Sequence, residues 1–322
     1  MSVLAGRMET SAIFTAAVSL EPAEPEHFDL AFTAVTQPCP WPKAYGGDLV
    51  AQAAAAAMRS VTDGKTLHST HSYFLRPADI GAVVRYEVEL LRDGRGYTTR
   101  QVRGYQHGKP VYACLASFAA GETSGAFEAG PAETALGRAG TIPGPEDLPT
   151  SVGYLDARIG TQAADESSMT EQSRAYWSGG RGFDMRHVPG PVYLTVEGAR
   201  VPHQAVWLKP YDALRPVPGL TDEQRDLAAL AYVCDYTILE PVLRVLDLPW
   251  ARPGLVTASL DHAMWFHRPA AAVAALAAGD WLLYAQEAVA ADAGRGVGAG
   301  KFFTRDQRHL ATVVQEGLFR SA

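Results

Sequence analysis

The chain has 322 residues, about two average domains in length, and its 47% hydrophobic and 20% charged content is that of a soluble globular protein. A formal charge of -7, with no basic stripe, argues against a nucleic-acid partner, although a few local arginines could still hold a small anion. Cys39, Cys114 and Cys234 form no Cys-x-x-Cys pair, so neither a zinc site nor a disulfide framework is expected, and a reducing, cytoplasmic setting fits best.

The opening stretch 1–20 is interrupted by Arg7, Glu9, Thr10 and Ser11 and lacks the apolar core of a signal peptide. Residues 13–35 mix β-branched and aromatic side chains with Pro22 and Pro25, which predicts one or two short strands. Tyr45-Gly46-Gly47-Asp48 then leads into Leu49, Val50, Ala51, Gln52 and five further alanines. Glycines before an alanine-rich run, with Asp48 in the first turn, predict a helix pressed closely against something flat. Strands are expected at 72–75, 83–91, 97–105 and 111–118, separated by turn sequences such as Arg92-Asp93-Gly94-Arg95-Gly96. Those turns leave no room for crossover helices, so the sheet is antiparallel and not of the Rossmann type.

From 121 to about 191 the composition shifts to Gly, Pro, Ser, Thr and acidic residues, which reads as a linker, since so long a connection is uncommon inside one compact domain. Beyond it the order recurs. Strands are predicted at 192–196 and 204–208, a helix at 221–246, and strands at 256–266, 281–289, 297–303 and 310–319. The alanine run 270–278 between two of those strands is far too short to span a bilayer, which takes about 20 apolar residues.

The repeat has a literal trace. Tyr73-Phe74-Leu75-Arg76-Pro77 is echoed by Trp265-Phe266-His267-Arg268-Pro269, and Gly94-Arg95-Gly96 by Gly294-Arg295-Gly296. Two echoes in the same order indicate duplication. The expected fold is therefore α+β: a double hotdog, two repeats of a long helix wrapped by a curved antiparallel sheet, with an N-terminal unit at 1–125, a linker at 126–190 and a C-terminal unit at 191–322. Merging the two sheets would hide two edge strands, place the active cleft between the units, and leave outer edges for a homo-oligomer.

The helix at 221–246 carries Leu227, Leu230, Ala231, Cys234, Ile238, Leu239 and Val242 at the three- and four-residue steps that bury one face. Asp235 is the only charged residue between Asp226 and Glu240, and Pro241 kinks or shortens the helix. An ionised carboxylate beside a buried face is costly unless donors meet it. Ser259 and Gln315, each on a later apolar strand, offer them. Together the three could hold and deprotonate a water; taken singly, each also fits an ordinary surface or locally bonded polar residue.

The stretches 45–53, 71–77, 90–97, 259–269 and 315–320 closely resemble the acyl-CoA thioesterase II family, five motifs in the right order. The resemblance implies a double hotdog that hydrolyses acyl-CoA to free acid and coenzyme A with no metal or cofactor, through an Asp, a Thr or Ser, and a Gln. Those roles fall on Asp235, Ser259 and Gln315. The chain departs from the family at Tyr45, where Phe is common, and at Asp48, where Gln is usual, departures that bear on acyl-chain preference.

The chemistry asks little of the leaving thiol, whose pKa of about 8.5 lets it depart as thiolate. Water, with a pKa near 15.7, needs a positioned base, and Asp235 would supply one. A backbone N–H of Gly46 or Gly47, at the start of the first helix, could receive the oxyanion. Asp261 and His262 are adjacent strand residues that point to opposite faces and so cannot share one substrate atom. Arg92, Arg95 and Arg295 are either solvated or contacts for coenzyme A phosphates. Two rivals remain: a hotdog enoyl-CoA hydratase, which would need an acid–base pair, and a protein that binds acyl thioesters without turning them over.

Overall fold

A computed structural model describes residues 10–121 and 127–321. The expected boundary at 125/126, and the part of the opening stretch before residue 10, lie outside the described residues. In the first half the elements run α1 (Ala12–Ala17), β1 (Glu21–Ala23), β2 (Leu30–Val35), α2 (Gly46–Arg59), β3 (Thr66–Phe74), β4 (Val83–Asp93), β5 (Tyr97–Gln106) and β6 (Lys109–Ala119). Four short helices follow, α3 (Ala135–Ala139), α4 (Ser151–Asp156), α5 (Gln162–Asp165) and α6 (Glu171–Ala175), the last running into a widened turn at Tyr176–Gly180. The second half has β7 (Phe183–Val188), β8 (His203–Pro210), α7 (Asp222–Val233), α8 (Glu240–Leu246), β9 (Val256–Ser259), β10 (Asp261–Phe266), α9 (Pro269–Ala277), β11 (Leu282–Asp292), β12 (Arg295–Thr304) and β13 (His309–Arg320).

All thirteen strands form one antiparallel sheet, in the order β1-β2-β4-β5-β6-β3-β10-β13-β12-β11-β8-β7, with β9 beside β13. Read inward from its two ends, the order is the same in both halves, so β3 and β10 are equivalent strands that meet at the centre. There Tyr73 pairs with Asp261 and Ser69 with Trp265. The two echoes of sequence fall at equivalent places, the ends of β3 and β10 and the hairpins β4–β5 and β11–β12. Helix α9 is the insertion that puts them out of step.

Each half keeps its helix close to the sheet by a different device. In α2 the small residues are on the helix, where Ala51 and Ala53 to Ala57 are fully buried. In the second half they are on the strands. A Cβ on Gly298 would lie 2.1 Å from the Ile238 carbonyl oxygen, and one on Gly317 would lie 2.3 Å from Leu239 Cδ1. Helices α2 and α7 also pack on each other: Gln224 Nε2 donates to the Met58 carbonyl at 3.2 Å, and a Cβ on Gly47 would meet the Tyr232 carbonyl at 2.3 Å.

Several expectations change. The start of 13–35 is helical, because Phe14 packs edge-on against Phe183 and Tyr232, and only its later residues form β1 and β2. The strand expected at 192–196 is absent; β7 lies earlier, inside the stretch read as linker, and Pro189 and Pro191, which have no N–H to donate to a ladder, end it. The predicted helix 221–246 breaks after Val233 into a tight turn at Cys234–Tyr236, and Pro241, in the first turn of α8, could not sit inside a continuous helix. The strand 256–266 is interrupted at Leu260, whose N–H donates to the Glu316 carbonyl while its own carbonyl accepts from Phe74. Among the described residues no helix is long and apolar enough to cross a membrane.

Replacing Gly298 with Ala should destabilise the fold by about 1 to 3 kcal/mol, the range for overpacking, since the obstacle is a backbone carbonyl. Urea denaturation of Gly298→Ala measures this, and an unchanged midpoint would contradict the close approach.

Candidate active site

Asp235 sits at the break between α7 and α8, so its side chain leaves the helix where α2 of the other half comes closest. Ser259 Oγ donates to Asp235 Oδ1 at 3.1 Å, and Gln315 Nε2 donates to the same oxygen at 2.7 Å and to Ser259 Oγ at 2.9 Å. The three predicted residues thus meet, although they come from a helix end, the last residue of β9 and the middle of β13. Gln315 is fully buried, and its Oε1 has no partner among the described residues.

Gly46 and Gly47 complete the carboxylate's surroundings. A Cβ on Gly46 would lie 2.6 Å from Asp235 Oδ2, so a side chain there would displace the carboxylate. The Gly47 N–H bonds to Asp235 itself and helps hold it ionised. Burial acts the other way and prevails over the Gln315, Ser259 and Gly47 donors, so the Asp235 pKa is raised above the ordinary carboxylate value.

Asp235 and Ser259 open onto a cavity of about 400 Å³ built from both halves. Tyr45, Gly46 and Phe74 line it from the first half, Tyr236 and Trp250 from the second. Of its other lining residues Leu75 and Val256 are exposed, whereas Tyr176, Trp177 and Arg181 are buried. These last three come from the stretch read as linker, and reasoning from sequence missed them. The signal was there: an aromatic pair, Tyr176-Trp177, in a run of polar and glycine residues needs a place to be buried. Arg92, Arg95 and Arg295 are not among the lining residues, whereas Lys43 and Arg76 are. His262 is turned away into the core, 3.2 Å from Cys234 Sγ, and Asp261 accepts from the Glu316 N–H at 2.9 Å.

The two departures at the start of α2 also find their surroundings. The Tyr45 hydroxyl donates to the Tyr232 carbonyl at 2.6 Å, satisfying a carbonyl at the open end of α7, and its ring stacks on Tyr236 at 4.1 Å. Asp48 is 0% exposed; Oδ2 accepts from the Gln37 N–H at 2.6 Å and Oδ1 has no partner among the described residues. Burial, aided by repulsion from Asp235 and opposed by the Gln37 N–H, pushes its pKa up to about 7.

A helix in each half of one merged antiparallel sheet, with a polar cluster between the halves, defines the double-hotdog class. Residues 182–318 match the family described as acyl-CoA thioesterase, and residues 37–119 match the acyl-CoA thioesterase N-terminal domain. The chain is 30% identical over 298 residues to acyl-CoA thioesterase 2 of Haemophilus influenzae, covering 91% of this chain and 93% of that one. It is 29% identical over 316 residues to human acyl-coenzyme A thioesterase 8, covering 96% and 89%. An acyl-CoA thioesterase II from Mycobacterium marinum superposes with a TM-score of 0.69 at 28% identity, covering 96% of this chain and 98% of that one. The chain belongs to the acyl-CoA thioesterase II family, a family of thioester hydrolases.

Asp48 makes a testable contribution to stability. Above pH 7 the carboxylate is ionised in both the folded and unfolded chain, and folding bears the full cost of burying it. As pH falls from about 7 towards 3.8 the folded chain takes up the proton first, and that cost fades. Asp48→Asn should therefore stabilise the protein at pH 8, by at most about 4 kcal/mol, with the gain shrinking towards pH 4. Urea midpoints of both proteins across that range check it; a gain independent of pH would remove Asp48 as the titrating group.

Proposed function

We propose that the protein hydrolyses acyl-CoA thioesters to free carboxylic acid and coenzyme A by attack of a water that Asp235 deprotonates. The observation that carries this reading is the three-way hydrogen-bonded cluster of Asp235, Ser259 and Gln315 on the wall of a cavity lined largely by apolar and aromatic side chains. Water on the cavity side donates one proton towards Asp235 Oδ2 and leans on Ser259. Gln315, behind them, fixes the carboxylate and hydroxyl to each other. As the water oxygen bonds to the thioester carbon, its proton passes to Asp235, and the collapsing tetrahedral intermediate expels the coenzyme A thiolate. The Gly46 N–H, at the start of α2, is the candidate donor to the oxyanion, since that of Gly47 is engaged by Asp235. A hydratase gains no support, because Asp261 and His262 are engaged elsewhere, and family membership weighs against a sequestering role.

The chain divides on this reading into an N-terminal hotdog, a connection that walls the cavity, and a C-terminal hotdog bearing the cluster. Three buried, unbridged cysteines fit a reducing cytoplasmic setting. The exposed Tyr73 and Leu115, on one face of the central strands, fit assembly into a homo-oligomer.

Incubated with acyl-CoA esters of graded chain length, the protein should release free thiol, and Asp235→Asn should lower the rate at least about a hundredfold while the fold persists. Because the base must be ionised, activity should fall as pH drops through a pKa raised above 3.8, and this acidic limb should vanish in the variant. Undiminished turnover by Asp235→Asn would sink the mechanism; ligand binding without thiol release by the parent protein would favour sequestration.

A further inference from the structure

Six of the aromatic residues that line the cavity form one connected group. Trp41 stands at its centre, with ring-centre distances of 5.8 Å to Trp250, 5.9 Å to Trp177 and 6.3 Å to Tyr176. Tyr176 meets Tyr236 edge-on at 6.1 Å, and Tyr236 stacks on Tyr45. The group ends beside the polar cluster, because Tyr236 follows Asp235 in sequence and Tyr45 precedes Gly46. It holds half of the six tryptophans in a chain that is only 9% aromatic, so the concentration of rings here is not a by-product of composition. Three of the rings are held by partners that do not line the cavity. Trp177 lies flat on Tyr193 with ring centres 5.1 Å apart, Trp250 Nε1 donates to Glu240 at 3.0 Å, and the Tyr45 hydroxyl is engaged by the Tyr232 carbonyl. The Tyr236 hydroxyl donates to the Arg181 carbonyl at 3.1 Å. With these polar atoms met inside the protein, the side chains offer the cavity ring surface in a set arrangement.

Chemistry divides an acyl thioester between such surroundings. The coenzyme A phosphates stay hydrated, at exposed lining residues such as Arg76, whereas an apolar acyl group is drawn to buried ones such as Tyr176, Trp177 and Tyr236. An aromatic ring set edge-on or offset against another gains about two- to tenfold in binding beyond the area it buries. A saturated ring of the same size gains the area alone, and a straight chain also gives up rotamer freedom between fixed walls. We propose that the acyl group favoured by this cavity carries an aromatic ring one or two carbons from the thioester carbonyl, packed against the group centred on Trp41, so that the substrates are arylalkanoyl thioesters of coenzyme A. The short spacing follows from the reach of that group to the residues next to Asp235 and Gly46. The inference rests on the thioesterase reading: water adds at the thioester carbon and gives its proton to Asp235, the carbon–sulfur bond breaks with its electron pair going to sulfur, and an arylalkanoic acid and the coenzyme A thiol result.

The test uses acyl groups matched in carbon number: phenylacetyl-, cyclohexylacetyl- and octanoyl-CoA, then 3-phenylpropanoyl-, 3-cyclohexylpropanoyl- and nonanoyl-CoA, each with the parent protein, Trp41→Leu and Trp41→Phe. At the spacing that fits best, Trp41→Leu should lower the ratio of kcat/KM for the aromatic over the saturated-ring substrate about two- to tenfold, the worth of one ring contact, and Trp41→Phe should keep most of it. Comparing the ratio between proteins cancels the intrinsic reactivity of each thioester. An unchanged ratio, with both rates kept or both lost, would overturn the inference and leave Trp41 a packing residue. A second arm needs neither turnover nor a variant: free phenylacetate or 3-phenylpropanoate should raise the melting temperature of the parent protein more than its cyclohexyl counterpart does at equal concentration, and equal or absent protection would overturn the inference. Absence of thiol release from every substrate would instead count against hydrolysis, and the acid-binding arm would still decide whether the wall receives an aromatic ring.

Discussion

A single carboxylate held between two half-molecules is the constraint on which the rest depends. Asp235 sits where burial penalises its charge, and donors from three other places, β9, β13 and the first turn of α2, answer that penalty. None of these is a neighbour in sequence. The cluster therefore exists only if α7 stops at Val233, if the strand carrying Ser259 ends where it does, and if α2 approaches closely enough for its glycines to touch the carboxylate. Gly46 is too near Asp235 Oδ2, and Gly47 too near the Tyr232 carbonyl, for either to carry a side chain without displacing its neighbour.

Duplication explains how such a site arises. Each half supplies a strand to the seam, β3 and β10, so the two sheets run on as one with no edge between them. The halves are not interchangeable. In the first the helix is stripped to alanine; in the second the strands are stripped to glycine, which leaves the helical segment free to carry larger and polar residues. Asp235, Tyr236 and Glu240 all sit in that second segment. The choice of which partner is small thus decides which half can carry large polar side chains at the contact.

The connection between the halves does more than join them. Tyr176, Trp177 and Arg181 line the cavity, and Trp41 packs against Trp177 at 5.9 Å and Trp250 at 5.8 Å. Residues that bear on what fits the site thus come from a segment of low regular structure, where loop geometry can change without disturbing the sheet. The cluster and this part of the cavity wall are thus built on different supports.

Much was legible in the residues alone. Alternating strands with tight turns, the alanine-rich helix after Gly47 and the two echoed motifs determined an antiparallel double repeat, because hydrophobic period and turn chemistry are local properties. Asp235 stood out because a lone charge in an apolar run must find partners, and resemblance pointed to Ser259 and Gln315. What stayed hidden depends on contacts between distant segments. Ile13 and Phe14 suit a strand by composition, yet Phe14 turns helical to reach Phe183 and Tyr232; the helix drawn through 246 breaks where Asp235 must face Gly46. Asp48 reads as an ordinary first-turn residue until α2 buries it, and Arg181 as one arginine in a linker until the chain folds it over the cavity. Composition and period set which elements form, but burial and charge environment are sums over neighbours brought from afar, and only the assembled molecule supplies those.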